Sequence, residues 1–371
     1  MSGRHAHKPP MPFWALIGAI VLVAAGMMVA SAMGGGREGA GAPASISPSP
    51  GGAGKTVVPP SASESPSSEP KGRIVIHGTG DVSLDPGYIS TYASLGYGYA
   101  WSGLGGLFRR DDLTVVNVEC PVTDEGAQLA KEFSFHGTPA ALPAMRDAGV
   151  EVGSLANNHA YDRGPDGVVD SRHNLEAAGI AAVGAGKDQE QALEPAMFEL
   201  DGWTVAVLGF DEVLDPLDAV AGPNKPGTAA GHDFSLMVGA VKDAAERADL
   251  VVVMIHWGVE LDTQPREYQV EEGHRLIDAG ADMIFGAHSH RLQPMSVYRG
   301  RPIFWSLGNF VWPNFSSAGS TTAVAEVKVA PDGQVTGRLM PAYITAPGHP
   351  ELAVNRPAGA DHRSFGSLDQ R

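Results

Sequence analysis

Met283-Ile284-Phe285-Gly286-Ala287-His288-Ser289-His290 sets an apolar run of strand length directly against two imidazoles. A short run of large apolar residues bounded by glycine reads as a buried strand. On an extended backbone residues i and i+2 share a face, so His288 and His290 are expected side by side, able to divide between two adjacent metals. The arrangement recurs along the chain. Ile74–His77 runs into Gly80-Asp81, Leu113–Val118 delivers Asn117 and Glu119, Val150–Leu155 opens into Asn157-Asn158-His159, and Leu250–Ile255 ends in His256-Trp257-Gly258. In open α/β sheets the carboxyl ends of strands line the ligand crevice, so these strands aim polar side chains at one edge.

Between them the pattern alternates β-branched and helical stretches, the signature of an α/β layered domain. Thr204–Leu208 adds a strand, and helices are expected over Ala141–Ala148, Pro165–Ala178, Leu236–Ala248 and Pro265–Ala279. After Gly286 the texture shifts to the short strands Met295–Tyr298, Ile303–Ser306, Thr322–Val329 and Gly337–Tyr343, which close one domain and do not begin a second. No internal repeat is evident.

Two carboxylates, an amide and three imidazoles make a mixed oxygen and nitrogen shell suited to Zn²⁺, Mn²⁺ or Fe, while the histidines disfavour Ca²⁺ and Mg²⁺. Thiolate is missing from the pattern, which excludes a structural cysteine-type zinc site. Cys120 is the single cysteine, so no internal disulfide forms and the fold rests on its core and any bound metal. Trp257 and Trp305 are expected as pocket or core aromatics.

Residues 1–11 are short and cationic, and residues 12–33 carry no charge over about the 20 residues that a bilayer span requires. Arg4 and Lys8 favour a cytoplasmic N-terminus, which places the rest of the chain outside the membrane. Ala30-Ser31-Ala32 also offers a signal-peptidase pattern; the apolar run exceeds the usual signal core and favours an uncleaved anchor, and either reading exports the domain, secreted if the signal is cleaved. Residues 34–71, built from Gly, Ala, Pro and Ser, read as a disordered tether, residues 72–346 as the folded domain and residues 347–371 as a flexible tail. A formal net charge of −16 argues against nucleic acid as a partner and against tight adhesion to anionic lipid.

Six ordered motifs carry a family resemblance. They are Gly-Asp-Val-Ser-Leu with Asp81, Asn117-Val118-Glu119 followed by Pro121, Ala156-Asn157-Asn158-His159 with Asp162 and Gly164, His256-Trp257-Gly258 with Glu260, Gly286-Ala287-His288-Ser289-His290, and Ser306-Leu307-Gly308-Asn309-Phe310. From about Arg73 to Ala346 the chain resembles CapA-like poly-γ-glutamate capsule synthesis proteins, a family similar to calcineurin-like metallophosphoesterases. The resemblance implies a layered β-sandwich flanked by helices around a centre of one or two divalent transition-metal ions. It implies Asp81 and His290 on the first metal, Glu119 in the bridging place, Asn158, His256 and His288 on the second, and Asn117, Asn157, Glu260 and Asn309 in the pocket. His159 would be the general acid and Asp162 its orienting partner. Ser83 stands where those enzymes carry a histidine, and a hydroxyl is a poor replacement for an imidazole ligand. Integral-membrane polymer synthase subunits are the implied partners, and an anionic polymer or phosphoester the implied substrate. Two functions follow, a metal-dependent hydrolase or transferase and a non-catalytic assembly factor.

Overall fold

The β-branched runs become strands, and the strands sort into two sheets. A computed structural model describes residues 70–353 except 214, all within the unit Gly54–Arg371. Strands β1 (Ile74–Val82), β2 (Leu113–Val118), β3 (Val152–Ser154) and β4 (Ala181–Val183) lie side by side in parallel. After β5 (Ala185–Gly186) the chain builds the second sheet from β6 (Ala196–Leu200) and β7 (Trp203–Asp211), and β8 (Gly227–Thr228) pairs with β5 as a separate two-stranded sheet. That sheet continues with β9 (Leu250–His256), β10 (Met283–Ala287), β11 (Met295–Tyr298) and β12 (Arg301–Phe304), in the order β11-β12-β10-β9-β7-β6. The chain then returns to the first sheet. There β13 (Asn309–Val311) pairs parallel with β1, and β14 (Thr321–Val329), β15 (Val335–Ala346) and β16 (His349–Leu352) extend it antiparallel, in the order β16-β15-β14-β1-β2-β3-β4.

Side-chain alternation stacks the layers. Leu250, Val252 and Met254 of β9 share a buried cluster with Ile74, Ile76, Leu113 and Val115 of the first sheet, so the sheets pack face to face. The alternate residues Val251, Val253 and Ile255 face outward, packed with Met237 and Val241 of the helix Phe234–Ala245 and Leu276 of the helix Glu267–Ala279. Val116 and Val118 face outward from the first sheet, clustered with Met145 of the helix Leu142–Asp147 and Val168 and Leu175 of the helix Gly164–Ala177. Strands buried on both faces need apolar residues at every position, which is why these runs read as continuous, not alternating.

Helix starts follow local chemistry. Asp233 caps Phe234–Ala245 by accepting from Leu236 N at 3.1 Å, and Arg266 N–H donates to Gln269 Oε1 at 2.8 Å where the last helix begins.

The boundaries differ from the sequence expectation in identifiable ways. Asp81 lies inside β1, which extends five residues beyond His77 to Val82. The ordered sheet does not stop at Ala346: β16 pairs with β15, and His349 and Leu352 are buried, so the expected tail overlaps an edge strand. Likewise Lys71, expected in the tether, forms an ion pair with Asp249 and lies over the Trp203 ring. Strands β4, β6 and β13 escaped the reading because each is three to five residues long and carries alanine, glutamate or asparagine where a β-branched residue would mark it. The expected membrane span at residues 12–33 and most of the tether lie outside the described residues. Among the described residues no helix is long and apolar enough to cross a membrane.

Candidate metal centre

A single extra residue in β1 puts the first carboxylate in place. Gly78 pairs with Val115 but Asp81 with Asn117, so β1 carries one residue more than β2 over this stretch. The bulge inverts the alternation. Ile74 and Ile76 face the inter-sheet core whereas Val82, also even-numbered, faces the outer one, leaving Asp81 on the inner side with Asn117. Glu119 follows directly on β2, His256 ends β9, and Asn309 opens β13 in register with Asp81.

His288 and His290 share the site by a different route from the one expected. The strand ends at Ala287, and both histidines adopt positive φ, 93° and 51°. Side chains with a Cβ avoid this region, so the loop holds them there against local preference. The turn, not strand alternation, separates the rings, whose centroids are 6.2 Å apart.

Two groups of ligand-type atoms result. In the first, His290 Nδ1 lies 3.1 Å from Asp81 Oδ2 and 2.8 Å from Asn309 Oδ1. In the second, His256 Nε2 lies 2.9 Å from Asn158 Oδ1 and 3.2 Å from His288 Nδ1. Glu119 stands between them, its Oε1 3.7 Å from His256 Nε2 and 3.8 Å from His290 Nε2. Asn117 Nδ2 donates to Asp81 Oδ1 at 2.9 Å and lies 3.2 Å from His256 Nδ1. Asn157 lies behind, its Nδ2 donating to Asn117 Oδ1 and the Val118 carbonyl at 3.1 and 2.9 Å.

The protein alone does not satisfy these groups. Glu119 is fully buried, and neither carboxylate oxygen makes a hydrogen bond; Asp81 Oδ2 makes no well-aligned one and has only the His290 ring 3.1 Å away. Buried polar atoms in folded proteins are as a rule paired, so carboxylate oxygens left unsatisfied this close to imidazoles call for a cation. Burial and the neighbouring Asp81 charge push the Glu119 carboxyl well above its ordinary range. Burial alone would raise Asp81 too, but His290 and Asn117 outweigh it and hold Asp81 low. Burial and the nearby His290 hold His288 at about 4, and burial keeps His256 lower than an ordinary histidine, so both rings are neutral and have a lone pair to give at neutral pH. Asp81, Glu119 and His290 offer three donor atoms within 4.8 Å of one another. The donor set fits a divalent transition metal.

Beside these groups stands a dyad. His159 Nδ1 is 2.8 Å from Asp162 Oδ2, and the same oxygen accepts from Phe135 N at 2.7 Å. Lys131 Nζ donates to Asp162 Oδ1 at 2.7 Å, a contact no sequence motif announced. Ser83 is buried, and its hydroxyl accepts from Asp85 N at 3.4 Å. Glu260 is exposed and reaches the site through its charge, which acts on Glu119 and His290. Trp257 and Trp305 are core residues, ring centroids 5.7 Å apart, with Trp257 Nε1 donating to Trp305 O. The aromatic residues that do flank the site are Trp312, 5.0 Å from His290, and Phe135, 4.3 Å from His159. They were missed because neither falls at a strand end with a ligand type.

Comparison with known proteins follows the same residues. The family described as Bacterial capsule synthesis protein PGA_cap matches residues 75–314. The chain is 34% identical over 236 residues to the PGA biosynthesis protein CapA of Bacillus subtilis (strain 168), covering 63% of this chain and 61% of that one. To the capsule biosynthesis protein CapA of Bacillus anthracis it is 30% identical over 256 residues, covering 67% and 62%. The chain thus spans about three fifths of the length of these curated relatives. Among solved structures, the calcineurin-like phosphoesterase YfkN from Bacillus subtilis aligns over 73% of this chain and 91% of that one at 16% identity, with a TM-score of 0.46. That likeness is too slight to bear on the fold, which rests on the strand order above.

Proposed function

Since the chain belongs to the bacterial capsule synthesis protein family PGA_cap, we propose that it serves the synthesis, attachment or export of poly-γ-glutamate or a related anionic surface polymer through a metal-dependent hydrolase or transferase site of calcineurin-like type. The observation that carries the chemistry is Glu119, buried without a partner and with one oxygen within 3.8 Å of a histidine from each group. Asp81, Glu119 and His290 would hold one divalent ion, and Asn158, His256 and His288, sharing Glu119, a second. Such an ion, when bound, supplies Lewis acidity and lowers the pKa of water.

The chain's own residues do the rest. Asp162 accepts the Nδ1 proton of His159 and so fixes the ring and its tautomer, which leaves Nε2 as the atom that exchanges a proton with a leaving group. Asn117 braces Asp81 and His256 together, and Asn309 holds His290. A membrane anchor at residues 12–33, with the domain outside the cytoplasm beside integral-membrane synthase subunits, completes the proposal.

Replacing His159 by Ala tests it. The variant should keep its metal content and fold while turnover falls about 10²- to 10⁴-fold, the range typical of general acid catalysis, and polymer formation in cells should stop. Ser83 favours a second reading, an assembly factor that retains the fold and one ion. Normal polymer from a folded His159→Ala protein would establish that reading against the catalytic one.

A further inference from the structure

Lys131 lies between β2 and the helix Leu142–Asp147, outside every motif of the sequence, yet its side chain is only 9% exposed. An ammonium has three protons, and this one points them at Asp162 Oδ1 at 2.7 Å, the Asn158 carbonyl at 2.8 Å and the Asp215 carbonyl at 3.0 Å, with Asp215 Oδ2 a fourth, longer ion-pair contact at 3.4 Å. Those contacts use every donor, so the group is not free to bind a substrate. Its partners are telling. Asn158 presents its side-chain oxygen to His256, and Asp162 presents its other oxygen to His159. One cation therefore grips both the backbone that carries a candidate metal ligand and the carboxylate that orients the candidate acid.

We propose that Lys131 is a positioning residue for proton transfer, acting on His159 through Asp162 and fixing the dyad against the metal-ligating turn; the proposal rests on the hydrolytic reading of the site. Without Lys131, Asp162 keeps Phe135 N and His159 Nδ1 on one oxygen and nothing on the other. A buried carboxylate stripped of its cation rearranges or draws in water, and the His159 ring loses its fixed support. A lysine that only fastened the loop would affect all substrates alike. One that positions the acid matters in proportion to how much the leaving group needs a proton.

The experiment uses two phosphodiesters that differ in leaving group, assayed with the full-length protein and added Mn²⁺. Lys131→Met should lower kcat roughly 10- to 100-fold on an alkyl ester, whose alkoxide must be protonated, and by about two-fold or less on a para-nitrophenyl ester, with KM little changed. A readout independent of activity, taken on the metal-free protein because Mn²⁺ would broaden nearby protons, is the His159 Nδ1 proton, expected as a slowly exchanging downfield NMR resonance in the parent and broadened away in the variant. Lys131→Gln gives the same comparisons should the methionine variant not fold. Equal losses on the two esters, or an unaltered Nδ1 resonance, would overturn the assignment. A parent that cleaves neither ester defeats the hydrolytic reading, while the Nδ1 resonance still decides whether Lys131 holds the dyad.

Discussion

His288 and Glu119 show how single residues set the terms for metal binding. His288 Nδ1 lies 3.2 Å from His256 Nε2, and burial favours the neutral form of both rings, so deleting His288 removes a ready ligand. His288→Ala should therefore cut bound metal and lower thermal stability together. At a free-ion concentration a hundred times Kd, binding adds about 2.7 kcal/mol to the parent that the variant forgoes. Equal metal content by elemental analysis would refute the ligand assignment. Glu119 adds a pH dependence with a definite sign. Burial and the Asp81 charge raise its carboxyl, so below that raised value the metal-free fold carries a proton there that a cation must displace. Apparent affinity should rise with pH up to the raised pKa, with proton release visible as different calorimetric heats in two buffers. Metal-free stability runs the other way: it is fully present below the unfolded value of 4.5 and lost as pH climbs through the raised folded value. Glu119→Gln should abolish both effects. These ligand types were legible as residues at strand ends. Their mutual arrangement was not, because it depends on a bulge and on two positive-φ histidines that no periodicity encodes. Lys131 was illegible for a related reason, since its acceptors lie 27, 31 and 84 residues away.

At the level of elements, the centre exists because three strands approach at their ends. β1 carries Asp81 between β2 and β13, and Asp81 N donates to Gly308 O at 2.9 Å. That closeness needs Gly80. A Cβ at position 80 would stand 1.7 Å from the Gly308 carbonyl oxygen, a backbone atom with no rotamer to yield. Gly80→Ala should force β1 and β13 apart and cost about 1–3 kcal/mol or more, with weaker metal binding as Asp81 and Asn309 lose register. Denaturant titration of the metal-free protein measures the first effect, and metal titration the second. A variant as stable and as tight as the parent would show that the approach is not needed. The long strands and the helices were readable from composition, since runs such as Leu250–His256 are apolar at every position. Their division into two facing sheets was not. A parallel strand buried on both sides looks the same whichever sheet it joins, and the ends of β1, β2 and β3 meet those of β9 and β10 across the gap, not along one edge.

For the whole molecule, the proposed location of the domain carries its own test. Among the described residues both sheets have their covering helices and buried cores. On the proposed reading, the uncharged stretch at residues 12–33, with Arg4 and Lys8 before it, would serve as an anchor, and the Gly, Ala, Pro and Ser tract as the spacer between membrane and domain. A chain beginning at Pro70 should fold, stay in solution and bind as much metal as the full-length protein, because it retains Asp81, Glu119, Asn158, His256, His288 and His290 and the sheets that present them. The full-length protein should sediment with membranes, and protease added to intact spheroplasts should remove the domain. Lys71, pinned to Asp249 and Trp203, marks where cleavage should halt, since these contacts tie it to the folded domain. Survival of the uncut protein in sealed spheroplasts, with cutting only after lysis, would place the domain in the cytoplasm and end the proposal that it meets its polymer outside the cell.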